Sequence, residues 1–165
     1  MDPVTLHVNI DRPREEVFAY LSDVANHPEF TDHFLKDWRL TREQSAGRGA
    51  GARYRQGGRF DRFGYYDLNL AELEPPYRIV GVGRGGKYNR IKTFHEWVLE
   101  PAAGGTRLRY VFESEPALAT DRIVEALSGR RGWFRRNAGK GLRRLQGILE
   151  ENRGRGARAT IAGLD

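Results

Sequence analysis

The chain has 165 residues, no cysteine and a formal net charge of +6, which fits one domain with a sizeable core and excludes a disulfide framework, thiolate chemistry and a cysteine metal site. Hydrophobic residues make up 39% and charged residues 30%, the proportions of an ordinary soluble domain, and no run approaches the ~18 apolar residues of a membrane span. The charge is uneven: from Arg122 to Arg158 eleven Lys and Arg stand against three Glu, a net +8 that leaves −2 for the rest.

Met1-Asp2-Pro3-Val4 runs into a strand pattern with neither a basic nor an apolar leader region, so the cytoplasm is the expected location. Val4, Leu6, Val8 and Ile10 alternate with polar residues, the rhythm of a strand with one buried face. Asp11 is positioned to cap a helix with Pro13 in its first turn, and Val17, Phe18 and Leu21 share one side of that helix. Asn26 to Thr31 reads as a second short helix or turn. Six strands are then expected, over 37–43, 52–60, 63–74, 77–83, 90–100 and 106–115. Glycines at 47–51, a turn near Arg62, Pro75-Pro76, Gly85-Gly86 and the segment Pro101 to Gly105 separate them.

From Ala119 to Glu151 the pattern changes to that of one long helix. Ile123, Leu127, Phe134, Ala138, Leu142, Leu145 and Leu149 recur mostly at steps of three, four or seven, with Gly129 and Gly132 as places where it starts, breaks or kinks. Residues 152–165 hold glycines, arginines and few large apolar side chains, and read as a disordered tail. The expected fold is therefore α+β: a helix-grip arrangement, in which a curved antiparallel seven-stranded sheet, in the order β-α-α-β6-α, wraps around a long C-terminal helix. Residues 1–151 form the single domain. A curved sheet closed by one helix leaves room for a ligand between them.

Four segments carry a family resemblance: the opening Val8 to Asp23, the mid-sheet turn Glu72 to Val80, the last hairpin Trp97 to Leu108, and the helix end Leu142 to Glu150. In this order they resemble the START/Bet v 1-like (SRPBCC) superfamily, in its polyketide cyclase/dehydrase-like branch, over about Thr5 to Glu151. After the first helix many relatives show an aromatic-Pro-x-Trp run; here it is Asn26-His-Pro-Glu-Phe30. The resemblance implies a cavity for a hydrophobic or amphipathic small molecule, lipid or polyketide-like. It implies no shared catalytic residue.

Strand parity nominates the cavity lining. Tyr66, Leu68 and Leu70 share a face with Glu72; His95 shares one with Thr93, Trp97 and Leu99; Leu108 shares one with Tyr110 and Phe112. With the helix stripe, the candidate ligand-binding residues are Tyr66, Leu68, Glu72, His95, Trp97, Tyr110, Phe112, Phe134, Ala138 and Leu142. A mostly apolar pocket with a few polar groups is the usual design of a small-molecule site. His95 is the candidate acid or base if the protein is instead a cyclase, aromatase or dehydratase working with a cavity tyrosine.

Asp61, Asp67 and Glu72 lie close in sequence, but parity parts Asp67 from Glu72, so no acid–base carboxylate pair is expected. His7, His27, His33 and His95 show no metal-ligand pattern beyond the six-residue step from His27 to His33, and neither a metal nor a cofactor is expected. The glycine strings at 47–51 and 81–86 do not lie between a strand and a helix start, as a phosphate loop would. The basic run Arg130, Arg131, Arg135, Arg136, Lys140, Arg143 and Arg144 reads as a solvated helix face. A weak contact with an anionic membrane suits it better than nucleic acid, because Phe134 belongs to the buried stripe and leaves only Trp133 beside the charges. The chain is expected as a monomer or a homodimer.

Overall fold

The computed structural model of the chain describes residues 1–57 and 64–164. Strand β1 (Val4–Ile10) is followed by helix α1 (Arg14–Leu21), a short 3₁₀ turn at Val24–Asn26 and helix α2 (His27–Thr31). Then come β2 (Leu35–Leu40), β3 (Gly51–Gln56), β4 (Tyr65–Glu74), β5 (Arg78–Gly85), β6 (Ile91–Ala102) and β7 (Gly105–Pro116), and finally helices α3 (Ala119–Leu127) and α4 (Arg130–Glu151). The strands form one antiparallel sheet in the order β1-β7-β6-β5-β4-β3-β2, curled around α4. The expected turn near Arg62, with Phe60, Asp61 and Phe63, lies outside the described residues.

Period-two patterning decides the inner face. Thr93, His95, Trp97 and Leu99 of β6 are buried, as are Leu108, Tyr110 and Phe112 of β7 and Tyr66, Leu68 and Leu70 of β4. The glycines of β5 let the sheet bend under this packing. A Cβ on Gly81 would sit 2.6 Å from Leu68 Cδ1 and 3.3 Å from Trp97 Cζ3, so a side chain there would push these two inner residues aside.

The C-terminal helix is not continuous. Gly129 takes a left-handed conformation (φ 68°) that L-residues rarely adopt, and it ends α3 before α4 begins. Ile123 and Leu127 therefore leave the stripe: they are 59% and 83% exposed. From Phe134 onward the stripe packs inward, burying Phe134, Ala138, Leu142, Leu145, Ile148 and Leu149.

Two further expectations change. Asp11 does not cap α1; Pro13 holds the cap position, and the Asp11 backbone N–H donates to Glu150 Oε1 at 2.7 Å. The segment after α4, read from its composition as a disordered tail, lies along the α1–α2 region. The Gly156 N–H donates to Glu29 O (3.0 Å), the Ala159 N–H to Ala25 O (2.9 Å), and Arg155 Nη1 pairs with the buried Glu29 carboxylate at 2.9 Å. The arginines that made the segment look solvated instead find carboxylate partners, Arg158 on Asp23 among them.

Candidate functional site

The site is an enclosed space between the inner face of the sheet and the helices α2 and α4. Its volume is about 40 Å³. That is room for a few water molecules at about 10–15 Å³ each, and well below the roughly 300–1,000 Å³ of a drug-sized pocket. In this conformation the cavity is closed to a drug-sized ligand.

Aromatic rings make most of the wall. Tyr54 of β3 stacks on Trp38 (centroids 4.7 Å apart), and Trp97 stacks on both His95 (5.7 Å) and Tyr110 (5.3 Å). Phe134 on α4 closes the space from the helix side, with its ring stacked on Phe112 at 4.0 Å. Ala138 and Gly141, one turn further along α4, leave the gap that remains. None of the residues lining this space carries an ionised side chain.

Seven of the ten residues nominated by parity line the space: Leu68, His95, Trp97, Tyr110, Phe134, Ala138 and Leu142. Tyr66 and Phe112 are fully buried beside it; the Tyr66 hydroxyl accepts from Arg130 Nη2 at 2.9 Å. Glu72 is the exception. The β4–β5 register shifts between Leu70 and Glu72, and a one-residue slip moves every later side chain to the other face. Glu72 therefore points outward and binds Arg78 at 3.1 Å. Asp67 also faces outward, paired with Arg53 at 2.6 Å.

Eight of the residues that line the space were not nominated, His27, Phe30 and Trp38 among them. His27 and Phe30 stand where the resemblance places the aromatic-Pro-x-Trp run, and both line the space. Trp38 shares its face with Leu40 by alternation, and before it β2 shifts register between Lys36 and Arg39, with Asp37 at φ 53°. Leu35 and Trp38, three apart, then both face inward. Arg130 is wholly buried although it opens the basic run; its Nε donates to Gln56 Oε1 at 3.1 Å and its guanidinium lies over the Tyr66 ring. Arg144 is also drawn in, bonded to Asp32, while Arg131, Arg135, Arg136, Lys140 and Arg143 are solvated.

The polar groups inside are neutral. His27 Nε2–H donates to Leu21 O at 2.9 Å, which fixes its tautomer, and burial lowers its pKa. His95 Nδ1 lies 3.0 Å from the Tyr110 hydroxyl. Burial, reinforced by the nearby His27, pushes His95 down to about 3, and burial raises Tyr110 well above its usual value. Among the described residues, Trp38 Nε1, His95 Nε2, Gln56 Nε2 and Thr93 Oγ1 are buried without a hydrogen-bond partner. No group of three or more potential metal ligands occurs among the described residues. A larger groove of about 710 Å³ crosses the outer face past Asp67, Arg84, Lys92 and Glu113, but it is open to solvent and lined by charges of both signs.

Residues 1–150 match the family described as polyketide cyclase / dehydrase and lipid transport. The chain belongs to this family. Solved structures agree on the fold. The KanY protein superposes with a TM-score of 0.68 at 16% identity, over 90% of this chain and 99% of its own. A Thermus thermophilus protein gives 0.64 at 16% identity, over 89% and 96%. The Aha1 dimer from Colwellia psychrerythraea gives 0.59 at 14% identity, over 93% and 99%. No curated protein matches the sequence. No helix among the described residues is long and apolar enough to cross a membrane.

Proposed function

We propose that this family member binds a hydrophobic or amphipathic small molecule between the inner face of the sheet and α4. The observation that carries the reading is the enclosed aromatic space itself, placed where sheet and helix meet and lined by no ionised side chain. Because the closed volume is about 40 Å³, uptake of anything larger than a few atoms displaces side chains of α2 or α4.

The test is a titration with naphthol, an amphipathic aromatic probe. Saturable binding is expected in the native protein. Ala138→Leu fills the gap on α4 and should weaken binding at least tenfold, at a cost of about 1–3 kcal/mol in stability for overpacking. Leu127→Ser, on the exposed face of α3, should leave affinity unchanged. Equal affinity in the Ala138→Leu protein would refute the reading.

A second reading, a cyclase-, aromatase- or dehydratase-type enzyme, is favoured by the contact between His95 and the Tyr110 hydroxyl. With a pKa near 3, His95 is too weak a base to abstract protons efficiently near neutrality. Its neutral imidazole is suited to polarising a carbonyl, so that hydroxide from solvent takes the α-proton more readily and the enolate then regains a proton, or a deuteron in heavy water, at carbon. The measurable consequence is faster deuterium exchange at the acetophenone methyl in heavy water, lost in Tyr110→Phe while naphthol still binds. Exchange no faster than in buffer would remove the enzyme reading and leave binding intact.

A further inference from the structure

Two of the unpartnered buried groups, Trp38 Nε1 and His95 Nε2, belong to residues that line the cavity. An indole nitrogen can only donate. The tautomer of His95 follows from counting. If the Tyr110 O–H donates to Nδ1, one group stays unpaired, namely Nε2–H; if Nδ1–H donates instead, both Nε2 and the Tyr110 proton lack partners. The first arrangement leaves fewer buried polar groups unpaired, each of which would be costly. Two residues of the wall thus each carry a buried N–H donor without an acceptor, on rings separated by His27 and Trp97.

Trp38 shares its inward face with Leu40, and the left-handed backbone at Asp37 with the register shift beside it puts Leu35 on that face as well; bulges of this kind cluster beside functional sites. The absence of charged lining residues argues against an ionised ligand, whose charge would be buried without a counterion.

Resting on the binding reading above, we infer that the ligand is uncharged and carries carbonyl-type acceptor oxygens, one taken by Trp38 Nε1–H and one by His95 Nε2–H. These two donors are the specificity-determining groups of the cavity, and the rings around them supply sequence-independent apolar contact. A molecule of the same shape without acceptors leaves both donors unpaired and is disfavoured.

The test compares diacetylbenzene with diisopropenylbenzene, which differ in having C=O or C=CH₂ at the same places, using nitrogen-15 NMR of the full chain. The diketone is expected to bind roughly tenfold more tightly, as two modest hydrogen bonds would give. It alone should move the Trp38 indole N–H and the His95 imidazole N–H downfield. In Trp38→Phe, which keeps an aromatic ring against Tyr54, the preference should fall roughly threefold. If that variant does not fold, the two N–H shifts in the native protein decide the matter. Equal affinities with an unmoved indole N–H would overturn the inference, as would failure of the diketone to bind while naphthol binds. Loss of naphthol binding as well would sink the underlying reading together with it.

Discussion

Replacing Phe134 by alanine is expected to cost about 3–5 kcal/mol of folding stability and to tighten naphthol binding at the same time. The ring is 2% exposed. It stacks on Phe112 at 4.0 Å and meets Phe34 edge-on at 5.8 Å, so truncation loses both its transfer energy and its contacts. The space left adjoins the existing cavity, which no longer has to open as far for a ligand. Urea unfolding with an unchanged slope measures the first effect, and the naphthol titration the second. A cost below about 1 kcal/mol would mean that α4 does not grip the sheet through this ring.

Acidification is expected to destabilise the protein well before its carboxylates are neutralised. In the unfolded chain His95 takes up a proton below its ordinary 6.5; in the folded chain burial holds it at about 3. Between these values the unfolded state binds more protons, so stability falls as pH falls through that window and the full contribution is present above it. From about pH 7 to about pH 5 the loss through His95 alone is about 2 kcal/mol. His27, lowered by burial as well, acts in the same direction. Urea midpoints at the two pH values measure the loss, and His95→Gln should flatten the dependence. A native midpoint that does not move over this range would contradict the placement of neutral histidines in the interior.

Much of this architecture is written in local pattern. Alternation in β4, β6 and β7 needs only strict period two to bury Leu68, His95, Trp97 and Tyr110 together, and the spacing from Phe134 to Leu149 needs only an unbroken helix. What escapes the sequence is wherever the period is interrupted by backbone geometry. A bulge after Leu70 expels Glu72, another beside Asp37 puts Leu35 on the same face as Trp38 and Leu40, and Gly129 detaches Ile123 and Leu127 from the helix that their spacing suggests. Burial of arginine is equally invisible along the chain. Arg130 looks like its basic neighbours, yet its partners Gln56 and Tyr66 lie more than sixty residues away. The tail follows the same rule, since Glu29 and Asp23 receive Arg155 and Arg158 across more than a hundred residues.

The central claim is that the space between sheet and helix, and not the exposed apolar face of α3, holds the ligand. Intermolecular NOEs from bound naphthol test it most directly. Contacts to the Leu68 and Leu142 methyl groups, both buried in the cavity wall, are the predicted result. Contacts to Ile123 and Leu127 alone, with none to Leu68 or Leu142, would contradict it.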